Sequence, residues 1–171
     1  MGPRLRGGDE LRIWTIGIIV NPKGSNPHVI ALARDGDHRF SKCSAPQLRL
    51  IADMLPLWRQ VTIACDHAKG ACARLAGLPV PTFADSETTL AELKDRVAKT
   101  LEFIATVPAE AFKDAEALTI TLKAGPRELS FPASDYYHLF AVPNFYFHMS
   151  TCYAILRANG VEIGKTDFLG A

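Results

Sequence analysis

Residues 143–160, PNFYFHMSTCYAILRANG, form the stretch that most constrains what this chain can fold into. At about 3.6 residues per turn, one stripe of such a helix would contain Ala141, Asn144, His148, Thr151, Cys152 and Ile155. A helix this rich in aromatic and aliphatic residues is expected to be buried. A buried polar group is costly unless it has a hydrogen-bond partner or a functional role. The polar residues of this stripe, Asn144 and His148, therefore need an explanation.

Length and charge exclude several classes of protein. A chain of 171 residues suits one well-filled domain. The net charge is +1, and basic and acidic residues are interspersed. This pattern does not indicate the basic surface of a nucleic-acid-binding protein. No apolar run approaches the roughly 20 residues of a membrane-spanning helix, and residues 13–20 are too short for a typical signal peptide. The four cysteines form no CxxC pair. We therefore expect a cytoplasmic protein with reduced cysteines, no nucleic-acid partner and no membrane segment.

Two amphipathic helices are predicted in the middle of the chain. A heptad-like seam with spacings of four and three is formed by Met54, Trp58, Val61, Cys65, Ala68, Cys72 and Leu75. Asp53 is the expected N-cap of this first helix, and Gly77 should end it. The second helix should begin near Thr89, which forms a capping-box pattern with Glu92. The charged residues of this helix, Arg96 among them, are assigned to a solvated face.

A β-hairpin and a last long helix follow. Residues 118–131 alternate between apolar and polar around the turn sequence AGPR, which predicts a hairpin packed against the helices. Ser134 is the expected N-cap of a helix over residues 135–159, closed by Gly160. Pro143 lacks a backbone donor and should interrupt this helix just before Asn144.

The spacing within the last helix suggests a metal site. Asn144 and His148 are four residues apart, so they share a face, and Cys152 continues the row. His67 lies beside the seam of the first long helix and is the candidate third ligand. Imidazole nitrogen suits zinc, nickel or iron, whereas the oxygen of asparagine is a weaker and harder donor. Spacing alone nevertheless favours a hydrogen-bonded core histidine over a metal ligand.

Three segments, residues 53–77, 88–106 and 135–170, resemble an uncharacterised bacterial DUF-type family of the DinB/YfiT-like superfamily. The resemblance covers roughly residues 46–170. It implies an all-α fold: a four-helix bundle, here with the hairpin at 118–131 before the last helix. It also implies a divalent-metal site between helices, as in many relatives, and often a homodimer. Some relatives are transferases that use low-molecular-weight thiols, so a small thiol is an expected ligand.

The ligand pattern of that superfamily is only partly present. Anchored on the sequence LRANG, its H-x-x-x-H motif falls on Asn144 and His148, and its remaining histidine falls on His67. This chain thus keeps two of three ligands and replaces the first. Cys152 and Tyr137 are the candidate lining of a ligand cleft beside these residues.

Residues 1–45 do not show the long amphipathic helix with which relatives begin, so the first bundle helix is expected to be absent or replaced by irregular sequence. A shifted reading frame or a wrongly chosen start is favoured over a lineage-specific extension. The expected organisation is an atypical segment, 1–45, followed by a DinB-like domain, 46–171.

Two function classes stay open. The first is a metal-dependent enzyme with the degenerate ligand set His67, Asn144 and His148. The second is a non-catalytic dimeric bundle that binds a small ligand or partner. In the second, Asn144 and His148 would be hydrogen-bonded to each other or to tyrosine hydroxyls.

Overall fold

A computed structural model describes residues 45–169 of the chain. The interpretation of residues 1–45 therefore lies, apart from Ala45, outside the described residues. The helices are α1 (Leu57–Leu75), α2 (Leu90–Thr106), α3 (Ala133–Asp135), a π-helical segment (Tyr136–Ala141), α4 (Val142–Ala158) and α5 (Lys165–Leu169). Short 3₁₀ turns lie at Ala45–Gln47, Ala109–Phe112 and Ala115–Ala117, and the strands are β1 (Thr119–Ala124) and β2 (Arg127–Pro132). The prediction of a mostly helical fold with one hairpin is confirmed.

The start of α1 differs from the prediction. Its N-cap is Pro56, in an extended conformation with no side-chain cap, so the assignment of Asp53 as N-cap was wrong. Proline disfavours helical geometry at the residue before it, and this prevents the helix from beginning earlier. The Leu57 amide donates instead to the Leu48 carbonyl at 2.8 Å. The predicted end is confirmed, because Gly77 adopts a φ of 66° just beyond the last turn.

α1 is the central helix and contacts both α2 and α4. The predicted seam is largely buried: Val61, Cys65, Ala68, Cys72 and Leu75 are all core residues. The other helices contribute Leu93, Val97 and Ile104 from α2 and Phe145, Met149, Cys152 and Ile155 from α4. The seam of α1 is therefore shared by the α1–α2 and α1–α4 interfaces, and polar groups of α1 can contact residues of α4.

The hairpin has the predicted register. Ile120 lies opposite Phe131, and Leu122 opposite Leu129. Ile120 is buried, and the Phe131 ring lies 5.5 Å from the ring of Phe140. The hairpin thus packs against the π-helical segment, as a two-stranded sheet requires for its stability.

The last helix begins one residue before its predicted cap. Pro132 is the N-cap of α3, so the assignment of Ser134 to that role was wrong. The predicted interruption near Pro143 takes the form of the π-helical segment, in which the Val142 amide donates to the Tyr137 carbonyl five residues earlier. Pro143 then occupies the first turn of α4, where its missing donor is tolerated. This places Asn144 and His148 on regular helix.

The cysteines that the structure describes, Cys65, Cys72 and Cys152, form no disulfide and are buried. Among the helices within residues 45–169, none is long and apolar enough to cross a membrane.

Candidate functional site

The structure brings His67 of α1 and His148 of α4 together. Their ring centroids are 6.0 Å apart, and the ring planes differ by 17°. His148 is only 9% exposed, and His67 is half-buried against the ring of Phe140, at 5.7 Å. Two histidines that are 81 positions apart in sequence therefore face each other across one helix interface.

A buried glutamine holds the His148 ring. Gln60, 1% exposed, places its Oε1 atom 2.7 Å from His148 Nδ1 and donates from Nε2 to the Leu55 carbonyl at 3.0 Å. Because a carbonyl can only accept, the second bond fixes which end of the amide faces His148. The Nδ1 atom must therefore carry a proton, and in the neutral ring Nε2 is the unprotonated nitrogen. The expectation that His148 bonds Asn144 or a tyrosine hydroxyl was wrong.

Both imidazoles are neutral near pH 7. Burial, and secondly the neighbouring His148, lowers the pKa of His67 to about 4. Burial also lowers the pKa of His148, and the positive charge of Arg59 adds to this effect. Neutral imidazole is the form that can bind a metal.

The Asn144 side chain is bonded to the adjoining π-helical segment. Its Nδ2 atom donates to the Phe140 carbonyl at 2.6 Å. The amide nitrogen is thus engaged, and the oxygen is the atom that could serve as a ligand. In the part of the chain that the structure describes, no group of three histidine, cysteine or acidic residues is arranged to hold a metal. Asn144 stands at the position where the resemblance to the DinB-like superfamily implies a histidine.

The two residues predicted to line one cleft lie in different places. Tyr137 and His67 line a small cleft of about 20 Å³, which suffices for about one water molecule. The other lining residues are apolar: Ala68, Ala71, Ala141, Val142 and Phe145. Cys152 instead lines a depression beside α5, together with Met149 and Phe168. It is 2% exposed, and burial raises the pKa of its thiol.

Arg96 was wrongly assigned to the solvated face of α2. It is 3% exposed, and its Nη1 atom donates to the Ala84 carbonyl and to Glu87, both at 3.0 Å. Its Nη2 atom donates to Asp66 at 2.9 Å and to Asp85 at 3.1 Å. One guanidinium therefore ties α1 and the linker before α2 to α2 itself. The sequence does contain an indication that Arg96 is buried. Arg96 lies on the same helical stripe as Leu93 and Thr100, and acidic residues precede it at positions 85 and 87.

The chain is thus a helical protein with a hairpin before its last helix and a histidine pair between two of its helices. A family model described as a domain of unknown function, DUF1993, matches residues 30–169. The chain belongs to this family. The match begins upstream of residue 46, at which the sequence resemblance was placed.

A solved structure supports this assignment. The chain is similar to a DinB family member protein from Shewanella denitrificans, with 35% sequence identity and a TM-score of 0.70. The alignment covers 96% of this chain and 89% of that chain. A comparison with curated proteins found no match. The resemblance to a DinB-like family is confirmed.

Proposed function

We propose that this DinB-like protein binds a divalent transition metal (zinc, nickel or iron) between α1 and α4 and uses it in catalysis. His67 and His148 would be the main ligands, with Asn144 as a weak third ligand. The observation that carries the proposal is the pairing of two neutral imidazoles, whose ring centroids lie 6.0 Å apart across the helix interface.

The donor set fits such a metal, although weakly. His148 has an unprotonated Nε2 atom because its Nδ1 atom is bonded to Gln60. Imidazole nitrogens suit zinc, nickel and iron, and the Asn144 oxygen is a harder third donor. Because the protein would supply only a few ligands, coordination positions would stay open to substrate. When bound, the metal would supply Lewis-acid chemistry to a substrate oxygen or sulfur.

For a thiol-dependent reaction, the cysteines at the α1–α4 interface are poor nucleophiles. The thiolate is the nucleophilic form of sulfur, and burial raises the pKa of Cys65 to about 11. Cys152 is equally buried, and its pKa is raised for the same reason. Neither thiol suits nucleophilic attack at neutral pH. We therefore propose a low-molecular-weight thiol as substrate, in line with the resemblance to thiol-dependent transferases.

Zinc titration of chelator-treated protein by calorimetry tests the proposal. The parent should bind one zinc ion per chain, and His148→Ala should lose this binding. Asn144→His, which rebuilds the H-x-x-x-H motif, should tighten it. His138→Ala is the matched control, because His138 is exposed and lies outside the site. An absence of zinc binding in both the parent and Asn144→His would refute the proposal, as would equal binding by the parent and His148→Ala.

A second candidate function is non-catalytic binding of a small ligand or partner by a dimeric bundle. The apolar lining of the cleft beside His67 and the bond of Asn144 to the Phe140 carbonyl of the adjoining π-helical segment favour it. Sedimentation should then show a dimer, no metal should bind, and His148→Ala should change only stability. A monomer that binds zinc would exclude this candidate.

A further inference from the structure

Gln60 is a polar residue in an unusually dry position. It lies on α1 two turns before His67, is 1% exposed, and has the core residues Leu57, Val61 and Ala64 as neighbours on the same helix. A buried amide is expensive unless both its ends are bonded. Both are bonded here: the oxygen to His148 at 2.7 Å and the nitrogen to the Leu55 carbonyl at 3.0 Å.

The Leu55 carbonyl is available because of where α1 begins. Pro56 is the N-cap, so Leu55 lies outside the helix. The first backbone hydrogen bond of α1 runs from the backbone N–H of Gln60 to the Pro56 carbonyl, at 3.1 Å. The side chain of Gln60 can therefore reach back to the Leu55 carbonyl. The start of the helix thus decides the orientation of the Gln60 amide.

We propose that Gln60 is a positioning residue: it holds the His148 ring as the Nδ1–H tautomer, so that the lone pair of Nε2 points away from Gln60 and is available to a ligand. Nδ1 and Nε2 lie on opposite sides of the imidazole ring, and a bond at one determines what the other can do. The neutral histidine side chain in water favours the opposite tautomer, with the proton on Nε2. Without the glutamine, the Nε2 position would be blocked by that proton.

The consequence for a metal rests on the proposed function. A hydrogen bond to the distal nitrogen of a metal-binding histidine fixes its tautomer and orientation, and removal of such a partner typically weakens metal affinity by about 10–100-fold. The tautomer itself does not depend on whether a metal binds.

Nitrogen NMR of metal-free protein labelled with ¹⁵N-histidine tests the tautomer directly. The parent should show a protonated Nδ1 and an unprotonated Nε2 for His148. Gln60→Met, which removes the acceptor at similar length, should transfer the proton to Nε2. Gln60→Glu keeps an acceptor and should keep the proton on Nδ1. Thr62→Val is the matched control. Thr62 is equally buried on α1 but bonds only to the Arg59 carbonyl at 3.2 Å, so its loss should leave the His148 signals unchanged.

Each outcome bears either on the positioning role of Gln60 or on the proposed metal site. A protonated Nε2 in the parent, or an unchanged tautomer in Gln60→Met, overturns the role of Gln60. If Gln60→Met does not fold, the parent spectrum still decides, because a protonated Nε2 in it overturns the role of Gln60. Zinc titration of the same proteins should show about 10–100-fold weaker binding for Gln60→Met and none of this loss for Thr62→Val. If the tautomer changes but the parent binds no zinc, the proposed function fails and the positioning role of Gln60 stands.

Discussion

Replacing Arg96 by methionine tests whether its network stabilises the fold. The network contains one well-buried carboxylate, because the side chain of Glu87 is 10% exposed, whereas those of Asp66 and Asp85 are 41% and 37% exposed. The two exposed partners recover hydration when the arginine is lost, and each such pair contributes only about 0–1 kcal/mol. Glu87 would keep a buried, unpaired charge, a defect that typically costs about 3–5 kcal/mol.

We therefore expect Arg96→Met to lower the free energy of unfolding by about 3–5 kcal/mol. Because the slope in urea is typically about 1–3 kcal/mol per molar for a small protein, the urea midpoint should fall by at least about 1 M. Glu87→Gln in the same chain should restore part of the loss, since it removes the orphaned charge. Lys99→Met on the exposed face of α2 is the matched control and should change stability by less than about 0.5 kcal/mol.

A loss below about 1 kcal/mol in Arg96→Met would refute this reasoning. It would mean that water reaches Glu87, or that the linker rearranges to hydrate it. No recovery in the double variant would equally show that the cost comes from packing of the guanidinium, for instance on the ring of Phe83 at 5.2 Å, and not from the carboxylate.

Three further changes have defined outcomes. Hydrogen bonds from the backbone at Thr88 and Thr89 lower the pKa of Glu92 to about 2. Because the folded-state pKa is lowered, the stabilising effect should be complete above the unfolded value of about 4.5 and disappear as the pH falls towards 2. Glu92→Gln should remove this pH dependence, as followed by carboxyl NMR and urea unfolding. Ile155→Ala, at a position with 0% exposure, should cost about 2–5 kcal/mol in urea unfolding; a loss below 1 kcal/mol would contradict its central packing. Gly77→Ala meets no atom within 4 Å but has a φ of 66°, so only backbone strain should act, at about 1–2 kcal/mol, and an unchanged unfolding midpoint would contradict this.

The features that the sequence predicted correctly depend on residues close in the chain. The capping box of α2 is present because Thr89 and Glu92 are three residues apart and bond each other's backbone. The hairpin register follows from alternation around a short turn, and the α1 seam from helical spacing. Asp53 and Ser134 failed as N-caps because a nearby proline took that position in each case, and proline limits where a helix can begin.

The features that it missed depend on distant residues. Arg96 is buried because acidic groups at positions 66, 85 and 87 converge on it, and periodicity within α2 alone cannot reveal them. Gln60 and His148 are likewise 88 residues apart. Sequence reasoning could place Asn144 and His148 on one face, and it could propose His67 as their neighbour from the family motif. It could not provide the partner that determines the tautomer of His148.

The two buried polar networks on α1 differ in what they leave available. Around Arg96 the guanidinium has four partners, drawn from α1 and the linker before α2, and it keeps no lone pair, so this network suits a structural tie. Around His148 the groups are neutral, and one bond to Gln60 consumes the donor of the ring and leaves an acceptor nitrogen. Glu87 Oε2 and Arg96 Nε are buried without a hydrogen-bond partner, but among these groups only His148 offers a neutral nitrogen lone pair that can bind a metal. The α1–α4 interface is therefore where chemistry should be sought. Under the proposed function, the weak donor Asn144 would weaken a metal site there without removing the His148 nitrogen on which the site depends.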